Sequence, residues 1–259
     1  FAIRREWRTS PFDTDGSSTY KLEKLPKTVS IGDVNIAIAE DRRLAKRLIF
    51  SMKSGQWQLE AGDEIDTNRV KRPGLQGPID DAFATPFLCV RGTGQSWNPA
   101  AQKYAAASLK RFREEWHHYF RGELPIKDDT AVTDEDLRNR NLILFGDPGS
   151  NSWIARVLPG LDITWTPEKL RVGETEYPSE NHLPALISPN PLPGAVGRYV
   201  VLNSGHTFRE AELNKLNYLL FPRWGDWAVL KISDATDLAD EEVLRAGYFN
   251  EDWRFNRQP

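Results

Sequence analysis

Three short stretches carry side chains able to do chemistry. The first is Gly146-Asp147-Pro148-Gly149-Ser150-Asn151. Pro148 and Gly149 suit the two central positions of a type II turn. Ser150 or Asn151 suits the cap of a following helix, whose free amides would then point outward as an anion site. In a plainer role, Asp147 and Ser150 would only satisfy the orphan amides of that helix. The second stretch is Asn203-Ser204-Gly205-His206. A histidine that follows a buried strand and precedes a capped helix can act as a general base or a ligand, with Ser204 and Asn203 beside it. Equally, His206 can be a polar residue ahead of a cap. On the functional reading, His206, Ser204 and Asp147 are the catalytic candidates. Gly146, Gly149, Ser150, Asn151 and Asn203 are then the ligand-binding ones. The third stretch, Gly77-Pro78-Ile79-Asp80-Asp81-Ala82-Phe83, sets two carboxylates side by side. Such pairs can hold a metal or share a proton, but adjacent side chains point different ways. Capping, or salt bridges to the Arg69 to Arg72 cluster, fits Asp80 and Asp81 better.

Each stretch falls short of a complete motif. The Gly146 loop lacks the lysine of a phosphate-binding loop, and its glycines do not fit the dinucleotide fingerprint, so no cofactor is expected. Ser204 is not in Gly-x-Ser-x-Gly, and that elbow occurs nowhere in the chain. His117 and His118 are consecutive on a helix and diverge, so they form no metal pair. Asp128, Asp129, Asp134, Glu135 and Asp136 lack the spacing of a calcium loop and read as a solvated face, and no metal is expected. Nine tryptophans are many for 259 residues. Exposed ones among Trp97, Trp224 and Trp253 could stack on sugar rings, although Trp116 belongs to the core.

Composition narrows the partners. The net charge is -3 with 27% charged residues of both signs, so nothing attracts nucleic acid or an anionic membrane surface. No apolar run reaches the length of a membrane span. The single cysteine, Cys89, lies in Phe87-Leu88-Cys89-Val90, reads as core, and leaves no disulfide within the chain. The chain begins at Phe1 and its only methionine is Met52, as expected of a processed chain or fragment.

The elements that must position these residues read as follows. Residues 1–70 alternate short apolar runs with charged or glycine turns and suggest a β-rich N-terminal unit, with a possible helical turn at Asp41 to Lys46. Residues 71–259 change period. A strand is expected at Ala84 to Val90, then a long helix capped by Asn98, opened by Pro99 and stopped by Gly122. Thr133 and Asp136 suggest a capped short helix before a strand at Asn141 to Phe145. The Gly146 turn and a helix through Leu158 follow. Leu170 to Tyr177 reads as a hairpin, and Leu183 to Ile187, Tyr199 to Leu202 and Asp226 to Ile232 as strands. Thr207 and Glu210 would box-cap a helix running to about Leu220. Strands alternating with helices imply an α/β fold, a largely parallel Rossmann-like sheet with helices on both faces. Ligands of such sheets sit at the carboxyl ends of strands, which makes the Asn203 loop a proposed neighbour of the Gly146 loop, the strand order being left open.

Four long motifs carry a family resemblance: Arg72-Pro73-Gly74-Leu75-Gln76-Gly77-Pro78-Ile79-Asp80-Asp81-Ala82-Phe83; Lys127-Asp128-Asp129-Thr130 with Thr133-Asp134-Glu135-Asp136; Leu144-Phe145-Gly146-Asp147-Pro148-Gly149-Ser150-Asn151; and Tyr199 to Phe208. Together they resemble the C-terminal region of large bacterial proteins of the prolyl-oligopeptidase-like α/β hydrolase or esterase type, many of them secreted. The resemblance spans most of residues 70 to 249. It implies that the nucleophile elbow belongs to an upstream hydrolase domain of the same precursor, outside this chain, and that the protein is extracellular or periplasmic. The expected function is an accessory, substrate-binding part of a serine-hydrolase-like protein, not catalytic alone, acting on an ester or carbohydrate substrate. Two alternatives stay open: an independent small-ligand enzyme using the Gly146 to Asn151 loop and His206, and a carbohydrate-binding module.

Overall fold

Runs of β-branched and leucine residues bounded by proline, glycine and asparagine set the strands of the protein, while one long alanine- and aromatic-rich stretch sets its only long described helix. The structure, a computed structural model, describes residues 2–4, 27–39, 47–53, 55–59, 70–208, 213–214, 223–232 and 241–255. The chain divides into two compact units, Phe1–Ile65 and Asp66–Pro259.

In the first unit, β1 (Ala2–Arg4), β4 (Arg47–Lys53) and β5 (Gln56–Leu59) form an antiparallel sheet. A separate hairpin joins β2 (Thr28–Ile31) to β3 (Val34–Ala37). Val29, Ile38 and Phe50 make its core. The helical turn expected at Asp41 to Lys46 lies outside the described residues.

The second unit is built on seven strands. They are β6 (Phe87–Arg91), β7 (Ile126–Asp128), β8 (Asn141–Phe145), β12 (His182–Pro189), β13 (Tyr199–Leu202), β14 (Trp227–Lys231) and β15 (Glu242–Gly247). Their order is β15-β14-β12-β13-β8-β6-β7. A small antiparallel sheet of β9 (Ile163–Trp165), β10 (Lys169–Val172) and β11 (Thr175–Pro178) is inserted between β8 and β12. Helix α1 (Pro99–Phe120) packs on β6 and β8 through Ala101, Ala105, Leu109 and Phe112. Asn98 caps it by accepting the amide of Ala100, with Pro99 in the first turn as expected. Helices α2 (Asp134–Asn139) and α3 (Ser152–Val157) are six residues each. Thr133 and Asp136 close a reciprocal capping box on α2.

The largely parallel, Rossmann-like sheet with helices on both faces is not what forms. Strands β7, β6, β8 and β13 are parallel, but β12, β14 and β15 join them antiparallel. Only three of the eleven described strand pairings are parallel. The fold is mainly β, with a mixed sheet. The misreading has a physical cause. All eight residues of β12 and all four of β13 are buried, so both read as the unbroken apolar runs of a parallel strand. Direction is decided instead by what joins them. Between β12 and β13 lies Asn190-Pro191-Leu192-Pro193-Gly194, with Gly194 and Gly197 at positive φ and the Asn190 amide bonded to the Arg198 carbonyl at 2.8 Å. That is a tight connection with no room for a crossover helix.

Candidate functional site

Three parallel strands, β6, β8 and β13, end side by side, and the loops after them carry most of the residues singled out above. Strand β8 is buried over its whole length and ends in Gly146, whose φ of +126° only glycine tolerates. A side chain there would also strike the Ser150 hydroxyl. Asp147 follows, 1% exposed. One of its oxygens accepts from the Ser150 amide at 2.8 Å and the Ser150 hydroxyl at 3.0 Å. The other accepts from the Ser96 hydroxyl at 2.5 Å and the Trp97 amide at 2.8 Å. Asn151, fully buried, caps α3 through its carbonyl oxygen. Its amide nitrogen donates to the carbonyls of Val90 and Phe145, tying the ends of β6 and β8 together. The turn is not the expected type II. Gly149 does not adopt a positive φ, and it is glycine because a side chain there would meet the Gln95 carbonyl and the Trp97 ring at 2.6 Å. Gly94 completes the joint by donating its amide to the Ser150 carbonyl at 2.8 Å.

The Asn203 loop is the immediate neighbour of this corner. Asn203 sits at φ +49° with no exposed surface, and its side-chain oxygen accepts the Gly146 amide at 2.9 Å. The candidate catalytic residues do not meet there. Ser204 is 2% exposed, and its hydroxyl donates to the Gly205 carbonyl at 2.7 Å. His206 is turned toward α1, where its Nε2 lies 3.0 Å from a Glu115 oxygen, an ion-pair distance without hydrogen-bond alignment. Phe112, Phe120 and Phe208 surround its ring. Among the described contacts, His206 touches neither Ser204 nor Asp147.

The paired carboxylates are structural and point apart. Asp80 accepts from the Thr207 amide at 2.7 Å and from its hydroxyl at 2.5 Å. Burial raises its pKa, against the opposing pull of Thr207 and of the positive charge available on His206. Asp81 accepts from the Tyr199 hydroxyl at 2.5 Å, and burial together with that bond pushes the Tyr199 pKa well up. Neither acid pairs with an arginine of the 69 to 72 cluster among the described contacts; Lys71 from that cluster pairs with the fully buried Asp226 instead. Thr207 is engaged by Asp80, and the helix it was expected to box-cap with Glu210 falls almost wholly outside the described residues. The acidic stretch also departs from a solvated face. Asp129 and Asp136 are buried. Asp129 binds Thr93 and the Ser152 amide at the start of α3. Burial works against its charge, but these donors outweigh burial and lower its pKa.

The sequence names Trp97 as one of three tryptophans able to stack on sugar rings, but gives no sign that this corner holds it in place. Asp147 and Gly149 fix Ser96 and Trp97, the two residues before the α1 cap. Trp97 is 37% exposed, whereas Trp224 and Trp253 are each 4% exposed. Beside Trp97 lies a cleft of about 620 Å³ at the start of α1, walled by Trp97, Pro99, Pro167, Glu180, Asn181 and Ile232. Trp165 packs edge-on against the Trp97 ring at 6.4 Å. The signal available in the sequence was Ser96-Trp97-Asn98-Pro99: a helix cap with a tryptophan directly ahead of it, where no helical neighbour can cover the ring.

No protein-family model matches the chain, and neither a curated protein nor a solved structure is significantly similar to it.

Proposed function

We propose that this chain is a non-catalytic, substrate-holding part of a serine-hydrolase-like protein, in which the Gly146 to Asn151 corner is a scaffold and the Trp97 cleft is the contact surface. The observation that carries this reading is the state of Ser204 and His206. The serine hydroxyl is buried and bonded to the Gly205 carbonyl, and the histidine is paired with Glu115 rather than with a nucleophile. Nucleophilic catalysis needs a hydroxyl within reach of a base and of substrate, and neither condition holds here. The long motifs shared with the C-terminal regions of prolyl-oligopeptidase-like hydrolases support the placement beside an upstream catalytic domain. The cleft supports the holding role, because its volume lies in the range of small-molecule sites.

Hydrolysis of p-nitrophenyl acetate tests the proposal. The chain alone is expected to show no turnover above buffer, and its addition in cis to the upstream hydrolase domain is expected to lower that domain's KM for a large substrate. Turnover by the isolated chain that disappears in Ser204→Ala or His206→Ala would overturn it. The reading as an independent small-ligand enzyme has one point in its favour, the contact between the Gly146 and Asn203 loops. Against it, every polar side chain those loops offer is 3% exposed or less.

A further inference from the structure

The walls of the Trp97 cleft are selective in what they offer. Glu180 presents an exposed carboxylate, which can only accept. Pro99, Pro167 and the indole of Trp97 supply flat, rigid apolar surface. Among the described residues no lysine, arginine or histidine lines the cleft, so none of them would compensate a phosphate or a carboxylate on the ligand. An acyl chain would leave the Glu180 carboxylate facing hydrocarbon, a costly burial. A ligand that satisfies these walls must be neutral, rich in hydroxyl donors along its edges, and flat and C–H-bearing on a face. A pyranose ring has this chemistry. Its axial C–H groups pack on an indole face, and its equatorial hydroxyls reach acceptors at the rim.

We infer that the Trp97 cleft binds a neutral glycan, with Trp97 as the stacking platform and Glu180 as an acceptor for ring hydroxyls. The inference deepens the substrate-holding reading and rests on it for its biological use. Binding itself does not depend on a hydrolase. The corner explains why the platform is rigid: the Trp97 amide is held by Asp147, and its ring lies against Gly149. A rigid aromatic platform loses little freedom on binding.

Titration of the full chain with xylohexaose and cellohexaose, followed by calorimetry and by indole N–H resonances, tests this directly. Saturable binding of at least one neutral hexasaccharide is expected. Oligogalacturonate, which brings carboxylates toward Glu180, should bind more weakly. Trp97→Ala should weaken binding at least about tenfold, a loss consistent with one aromatic contact. Trp97→Phe should recover part of it. Glu180→Gln, an exposed change that leaves the core intact, should relieve the discrimination against oligogalacturonate. Three results would overturn the inference: no binding of either neutral hexasaccharide up to its solubility; binding unchanged in Trp97→Ala; or preferential binding of a decaproline peptide, the other rigid ligand able to stack on tryptophan. The two readings fail separately. A chain that binds glycan but leaves the KM of the attached hydrolase domain untouched removes the substrate-holding role and keeps the site. One that lowers that KM without binding glycan does the reverse.

Discussion

The corner at the end of β8 and the cleft at the start of α1 meet in the same short loop, yet their polar groups are in opposite states. In the corner, Asp147, Ser150, Asn151 and Asn203 are 0–3% exposed, and their hydrogen-bonding groups are engaged by the chain itself. Across Trp97, Glu180 and the tryptophan face solvent. The residue types alone would favour the corner as the reactive place, since it has the aspartate, the serine and the glycines. What separates the two is saturation. A buried polar group with all its partners stabilises the fold and has nothing left for a ligand; one that faces solvent can exchange water for a ligand.

This contrast is open to breaking. Asp147→Ala should have the largest effect, because four donors from Ser96, Trp97 and Ser150 would lose their acceptor in a buried place; a loss of about 3 kcal/mol is expected in urea denaturation. A cost under about 1 kcal/mol would mean that the corner is not a scaffold. Asn203→Ala should cost about 2 kcal/mol, from the lost acceptor for the Gly146 amide and a left-handed φ that alanine resists. Asn203→Gly keeps the φ and loses only the bond, so the difference between the two variants separates the contributions.

Asp136 extends the contrast to an acid outside the corner. Burial disfavours its charge, but the bonds from Lys127 and Thr133 outweigh this and bring its pKa down from 3.8 to about 2. Its contribution to stability is therefore complete above about pH 4 and is lost as the pH falls through about 2. Denaturation midpoints across that window should fall in the wild type and flatten in Asp136→Asn. Thr133→Ala, which opens the capping box, should cost about 1 kcal/mol at neutral pH. Trp97→Ala should be the mildest, about 1 kcal/mol or less, because the ring is partly in solvent.

Much of the fold was legible in the sequence. Asn98-Pro99 announced α1, Thr133 with Asp136 announced α2, and Val172-Gly173-Glu174 announced the β10–β11 turn, where Gly173 takes a φ of +60°. These are local signals, carried by residues within one turn of each other. Strand direction was not legible, because a strand buried on both faces has the same pattern whichever way it runs. The adjacency of the Gly146 and Asn203 loops could be argued from strand ends, and the bond between Gly146 and Asn203 realises it. The saturation of that corner could not, since it depends on Ser96 and Trp97, some fifty residues earlier in the chain. Burial of Asp129 and Asp136 was hidden for the same reason: their partners Ser152 and Lys127 come together only in the fold.

The central claim is that the corner exists to hold Trp97. Asp147→Asn tests it with the least disturbance, since it keeps the shape of the side chain and weakens its hold on the Ser96 hydroxyl and the Trp97 amide. Nitrogen-15 spectra of the folded variant, with the Trp97 indole signal assigned from Trp97→Phe, would report on the platform directly. The account predicts that this indole resonance shifts or broadens while those of the buried Trp224 and Trp253 stay in place. A Trp97 signal unchanged in Asp147→Asn would contradict it.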